Sequence, residues 1–232
     1  SKEFDASLYA DISDLHVHRM EYDSGLSMGR NLLLSKVTAD YFVLMDSDYV
    51  LCVPESIEKM IAISEHVDAA IVGGLLWDDG QPKPRNFFGH FEMNGVEPVL
   101  CFYDLDGTKY DSVDVVRYCG CRFTENFFLG RTKDFHDNNV HWDDELKLME
   151  HEDFFLRFPR HCRIANTRDV YVQHFPSYEH DGVDPEYSHF RYRKQFRKKA
   201  KDKYQVSGEF FESKSIVYPW DDWKFPGLKV MI

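Results

Sequence analysis

The sequence predicts an α/β domain with a mostly parallel central sheet flanked by helices, and three observations carry that expectation. Tyr41 to Met45 is a continuous apolar run, the pattern of a strand covered on both faces, and Ala69 to Val72 is a second. Helix-period segments precede the first run and separate it from the second, an alternation that favours parallel crossovers. A length of 232 residues suits one large α/β domain or two small ones.

In chain order, Leu15 to Met20 alternates apolar and polar residues and reads as a short strand. Ser24 to Met28 supplies turn and capping chemistry before a helix expected over Gly29 to Val37. The Tyr41 run stops at Asp46-Ser47-Asp48. Pro54 and Glu55 suit a helix's first turn, and Ile57, Met60, Ile61 and Ser64 give the segment after them one inner face. The Ala69 strand is expected to close at Gly73-Gly74. Gly80 to Pro98 reads as an irregular, ligand-facing insertion with short hairpins, and Val99 to Tyr110 as a hairpin around Asp106-Gly107. Arg122 to Leu129 approaches another strand, Glu145 to Arg157 a helix, and Val170 to Gln173 a short strand ending at His174. Residues 1–204 are expected to form one core. Residues 205–232 read as a packing tail anchored by Pro219-Trp220-Asp221-Asp222-Trp223.

A formal net charge of −12 argues against a general nucleic-acid or anionic-membrane binder. The basic run Arg191 to Lys203 reads as a solvated helix face. No segment has the length and apolarity of a membrane span. The five cysteines are odd in number and do not make a disulfide framework, and Cys119-Gly120-Cys121 lacks the spacing of a zinc knuckle.

Two carboxylates at the end of a buried strand can hold Mg²⁺ or Mn²⁺ against a diphosphate. Asp46 and Asp48 occupy such a place, although an Asp-x-Asp triplet also occurs in solvated turns. A second acidic signal is His151-Glu152-Asp153. On a helical wheel Asp153 points between Leu146 and Met149, and Glu152 between Leu148 and Leu156, so at least one carboxylate is expected against an apolar surface that makes it a better base. His174, at the end of its strand, is placed to meet the metal. Arg30 can pair with a phosphate or with Asp46 or Asp48, and Asn31 can orient a carboxylate or a nucleotide atom; a structural ion pair and cap explain both equally well.

Taken together and in order, Gly25-Leu26-Ser27-Met28-Gly29-Arg30-Asn31-Leu32, the Phe42 to Asp48 strand and triplet, Val72-Gly73-Gly74, Asn126-Phe127-Phe128-Leu129-Gly130-Arg131 and His151-Glu152-Asp153-Phe154-Phe155-Leu156 resemble the β-1,4-N-acetylgalactosaminyltransferases of the ganglioside GM2/GD2-synthase type, over roughly Ser1 to Tyr178. The resemblance implies a GT-A, Rossmann-like fold and inverting transfer of a sugar, GalNAc first, from a UDP-sugar to a glycan or glycolipid hydroxyl. By that resemblance Asp46 and Asp48 hold Mn²⁺ or Mg²⁺ and the diphosphate, with His174 completing the metal sphere. Asp153 is the base, His151 and Glu152 shape its site, and Arg30 meets the nucleotide phosphates, with Asn31 beside it. Trp77, Asp78 and Asp79 border the donor or acceptor pocket, and Trp142, Asp143 and Asp144 shape the acceptor side. By the resemblance, the chain is expected to lack the family's first nucleotide-binding strand and helix, so that activity of this fragment alone is less secure than its ancestry. A Golgi-lumenal location is expected for an animal enzyme and a cytoplasmic one for a microbial relative. The rival readings are a glycan-binding scaffold derived from a transferase and a metal-dependent nucleotidylyltransferase or pyrophosphatase.

Overall fold

The computed structural model describes residues 12–175, 194–208, 211–216 and 229–231. Residues 12–25 run without helix or strand, so the strand expected at Leu15 to Met20 does not form. After α1 (Leu26–Leu34) come β1 (Tyr41–Leu44), β2 (Tyr49–Leu51), α2 (Ser56–Val67) and β3 (Ala69–Asp78). Two hairpins follow, β4 (Gly89–Asn94) with β5 (Glu97–Tyr103) and β6 (Asp111–Val113) with β7 (Val116–Cys121). Next are β8 (Phe128–Arg131), α3 (Thr132–Asp137), α4 (Glu150–Arg157), β9 (Arg163–His174), α5 (Lys194–Tyr204), β10 (Glu212–Ile216) and β11 (Lys229–Met231). The Trp220 anchor and the Arg191 to Arg193 part of the basic run lie outside the described residues.

The strands form two mixed sheets that are mostly antiparallel, which corrects the mostly parallel Rossmann-type sheet expected from the sequence. The larger sheet has the order β1-β8-β3-β9-β7-β6, with β2 added to β9. Within it only β3 and β9 pair in parallel; β8 pairs antiparallel with both β1 and β3. The smaller sheet, β10-β5-β4-β11, is an antiparallel hairpin extended in parallel at each edge. Strand-helix-strand periodicity does give β1 and β3 a common direction, as expected. It carries no information on the later strand β8, which inserts between them with the opposite direction.

β1, β3 and β9 therefore all point one way, and their C-terminal ends share one edge of the sheet. Because Leu44 at the end of β1 lies opposite Phe128 at the start of β8, the segment leading into β8 arrives at that edge too. The C-terminal half of β9 separates β3 from β2, with Asp78 and Tyr49 both in register with His174.

Apolar side chains cover the larger sheet on both faces, Met60, Ile63, Val72, Leu76 and Leu129 in one cluster and Phe128, Phe135, Phe154, Phe155 and Trp142 in another. One close approach depends on glycine. A Cβ at Gly74 would overlap the Phe127 ring and sit 2.9 Å from the Val170 carbonyl oxygen, and one at Gly73 would overlap the Thr124 side chain. β3 continues through the glycine pair, past the end expected for it and with a shift of its register on β9 there, and the Thr124 to Phe127 segment lies directly against it. A methyl group at Gly74 has no place to go without moving backbone, so Gly74→Ala is expected to destabilise the domain by about 2–3 kcal/mol. Urea unfolding of the variant beside the parent chain measures this.

Candidate active site

Seven acidic or basic groups converge on the shared strand edge, brought there by six different segments. Asp46 and Asp48 lie between β1 and β2, Asp78 ends β3, and His174 ends β9. Glu125 lies four residues beyond β7 and just before β8. Arg30 reaches in from α1. Glu152 comes from α4, whose first turn carries Glu150, Glu152 and Asp153. Met149, at φ 60°, turns the chain immediately before that helix, and negative charge is favoured where the helix begins.

His174 joins two of the carboxylates. Its Nδ1 lies 2.5 Å from Asp78 Oδ1 and its Nε2 3.3 Å from Asp48 Oδ2, while Tyr49 packs edge-on against the ring at 5.2 Å. The two carboxylates thus face opposite nitrogens of the ring, Asp78 the more closely. Arg85 holds Asp78 from the other side, with Nε at 2.5 Å and a terminal nitrogen at 2.7 Å. Burial pushes the Asp78 carboxyl up, but the hydrogen bonds from Arg85 and His174 outweigh it and hold the group below the usual carboxylate range. Burial, with the charges of Asp46, Glu125 and Asp48, pushes the Tyr49 phenol well up, so it stays a neutral donor.

A carboxylate that fixes one ring nitrogen while the other faces a second carboxylate is the arrangement by which proteins orient a histidine toward a metal. Imidazole with carboxylate oxygens suits a divalent cation such as Mn²⁺, so Asp48 and His174 fit one. Arg30 is buried, and a terminal nitrogen lies 3.4 Å from Asp46 Oδ1. Its other terminal nitrogen is buried without a hydrogen-bond partner among the described residues, and the guanidinium lies 5.8 Å from the Trp142 ring centre. Arg30 and Asp46 thus meet as expected.

Among the described residues, the group of three whose possible ligand atoms lie within 4.8 Å of one another is His90, Glu92 and Cys101, on β4 and β5. It can hold a divalent ion, and it is separate from the strand edge. Lys214 Nζ already lies 2.6 Å from Glu92 Oε2. Burial and the Glu92 charge push the Cys101 thiol up to about 11. A buried thiol and an imidazole suit a softer metal than Mg²⁺ or Mn²⁺.

The remaining expected residues divide. Asp153 is fully buried, and both its oxygens are engaged: Oδ2 by Arg157 Nε at 2.8 Å, Oδ1 by Lys203 Nζ at 2.5 Å and by the Tyr204 hydroxyl. It ties α5 to α4. Glu152 is the partly exposed carboxylate of the pair, and its charge reaches Glu125. His151 Nε2–H donates to the Thr124 carbonyl at 2.7 Å. Asn31 bonds the Trp142 backbone, donating to its carbonyl at 2.9 Å and accepting from its N–H at 2.8 Å, and donates to Asp144 at 2.7 Å, so it latches α1 to that loop. Trp142 is stacked at 4.4 Å on Phe154 in the core, away from solvent. Trp77 donates to the Gln81 carbonyl and packs on Tyr171, and Asp79 is exposed beside Gln173. Arg85, Tyr49 and Glu125 were not expected here. The only sequence signal for Glu125 is an acid just before the apolar run Phe127 to Leu129.

The profile of Glycosyl transferase family 2 matches residues 3–126, more than half of the chain. The chain belongs to glycosyl transferase family 2. Among curated relatives of this family 2 chain, mouse beta-1,4 N-acetylgalactosaminyltransferase 1 is 30% identical over 177 residues, covering 70% of the chain and 31% of that protein. Mouse beta-1,4 N-acetylgalactosaminyltransferase 2 is 25% identical over 169 residues, covering 71% of the chain and 31% of that protein. The chain therefore spans about a third of the length of these relatives. Among solved structures, S. aureus TarS 1-349 in complex with UDP-GlcNAc is 17% identical with a TM-score of 0.49, covering 75% of the chain and 47% of that structure. Among the described residues, no helix of this family 2 chain is long and apolar enough to cross a membrane.

The buried His151 gives the site a pH signature. Burial first, and then the Arg30 charge, lower its pKa to about 3. Between about pH 6.5 and 3 the unfolded chain binds a proton that the folded chain refuses, so this contribution is complete above pH 6.5 and is lost as pH falls. The slope approaches about 1.4 kcal/mol per pH unit. His151→Gln, which keeps a donor for Thr124, is expected to flatten the fall in melting temperature between pH 6.5 and 4, read by thermal melts across that range.

Proposed function

We propose that this chain carries out inverting transfer of a sugar, GalNAc first among candidates, from a UDP-sugar to a hydroxyl of a glycan or glycolipid. The observation that carries the reading is the Asp48–His174–Asp78 chain of contacts at an edge where β1, β3 and β9 all end. That is where an α/β sheet meets its ligands. Family membership supports sugar transfer, and the names of the relatives support GalNAc.

Asp46, Asp48 and His174 would hold Mn²⁺ or Mg²⁺. When bound, the cation neutralises charge that builds on the departing diphosphate. Arg30, kept in place by Asp46 and Trp142, offers its partnerless nitrogen to a phosphate oxygen. Asp78 does not touch substrate in this reading; it keeps the His174 ring in one tautomer. Glu152 takes the proton of the acceptor hydroxyl as that oxygen bonds to the anomeric carbon and the bond from that carbon to UDP breaks. We favour Glu152 over Asp153 as base because both oxygens of Asp153 are engaged and none of its surface is open. Asp153 would act by holding α4 and α5 together around the acceptor side.

Calorimetry with Mn²⁺ and UDP is expected to show binding that Asp48→Ala weakens at least tenfold; equal binding by parent and variant would remove the donor site from this edge. Transfer assays would then separate the two acids. Glu152→Gln is expected to lower kcat by roughly 10²–10⁴-fold with little change in melting temperature, as loss of a general base does. Asp153→Asn is expected mainly to lower the melting temperature. The reverse pattern would return the base role to Asp153.

A further inference from the structure

We propose that His90, Glu92 and Cys101 form a second metal site, one that binds Zn²⁺ and clasps the β4–β5 hairpin of the smaller sheet. It stands apart from the strand edge and does not depend on the sugar-transfer reading.

The backbone brings the three donors together. His90 and Glu92 are two residues apart on β4, so their side chains leave the same face, and Cys101 lies directly opposite His90 on β5. On the other face Phe91 and Phe102 pack on Phe123 and hold the hairpin to the core. His90 Nε2 lies 3.3 Å from Glu92 Oε1, and one donor atom from each of the three residues lies within 4.8 Å of the other two. Zinc–ligand bonds of about 2.0–2.3 Å put the donors of a tetrahedral site about 3.3–3.8 Å apart. The His90–Glu92 pair already has that spacing, and the thiol has about 1 Å or less to move to reach it.

The donor chemistry names the ion. A thiol, an imidazole and a carboxylate offer sulfur, nitrogen and oxygen; Mg²⁺ and Ca²⁺ take oxygen, whereas Zn²⁺ takes all three. As the Zn–S bond forms, the Cys101 thiol proton leaves to solvent. Glu92 gives the ion one oxygen, Oε1, because Oε2 accepts from Lys214 Nζ at 2.6 Å. Lys214 is in register with Cys101 on β10, and a hydrogen-bonded partner of this kind holds a ligating carboxylate in place. His90 and Cys101 are buried while the Glu92 side chain is 14% exposed, so the ion enters from the Glu92 side, where a water completes the tetrahedron. The ion sits among the donor atoms themselves. Both edge strands of the smaller sheet, β10 and β11, pair with this hairpin, so tying β4 to β5 stabilises the sheet as a whole.

The test uses Co²⁺ as a spectroscopic stand-in for Zn²⁺, titrated into the metal-stripped chain carrying Cys52→Ser, which removes the exposed thiol. A thiolate-to-cobalt charge-transfer band is expected, and Zn²⁺ is expected to abolish it by displacement. Cys101→Ser should lose the band, and His90→Gln and Glu92→Gln should each weaken Co²⁺ binding there at least about tenfold, the lower end of what losing even an outer partner costs. Asp48→Ala should keep the band, because the strand edge offers no sulfur. In that Asp48→Ala background Zn²⁺ is expected to raise the melting temperature, and Cys101→Ser to cancel the rise. Glu92→Gln, at the partly exposed member, supplies the answer if the variants at the two buried positions do not fold. A folded parent chain that shows no thiolate band with Co²⁺ would overturn the proposal, as would a band that survives Cys101→Ser or is undiminished in Glu92→Gln.

Discussion

The site depends on one imidazole. His174 ends β9, and its ring is held between Asp78 at the end of β3 and Asp48 beyond β1, so it fixes the relative positions of three chain segments that are far apart in sequence. The backbone prepares the contact: Asp78 and Tyr49 flank His174 in register on its two neighbouring strands. Arg85 locks Asp78 in turn, and Nε2 faces Asp48. A geometry of this kind is pre-organised, because the strands that set it are buried and paired. The site need not order these groups when a ligand arrives.

Charge is balanced around that centre by a few cations. Asp46, Asp48, Asp78, Glu125 and Glu152 would repel one another, and Arg30 is paired to Asp46 and Arg85 to Asp78. Burial first, reinforced by the neighbouring carboxylates and opposed by Arg85, raises Glu125 and Tyr49. The excess of acid suits a divalent cation at Asp48 and His174. Asp153 belongs to a different balance: its charge is matched by Arg157 and Lys203, and it serves the packing of α4 against α5.

Local pattern made much of this legible in the sequence. The apolar run before Asp46 marks β1, the Val170 to Gln173 alternation marks the end of β9 at His174, and the periodicity around Met60 marks α2, because burial on one or both faces writes itself into neighbouring residues. Sheet order was not legible. β8 is short and apolar, and its sequence does not tell which strands it separates or that it runs against them, so the mostly parallel sheet was the wrong inference from correct strand directions. Partner choice is the other gap. Nothing in Asn31, Trp142 or Asp153 as residue types foretells the contacts they make here, a loop latch, a core stack and a buried ion pair.

The most direct test of the central claim is the Mn²⁺ affinity of Asp78→Asn, followed by electron paramagnetic resonance beside the parent chain. Asp78 is not placed as a ligand; it acts only through His174. If it orients that ring toward the metal, the variant is expected to bind Mn²⁺ roughly 10–100-fold more weakly. An unchanged affinity in a folded variant would contradict the account.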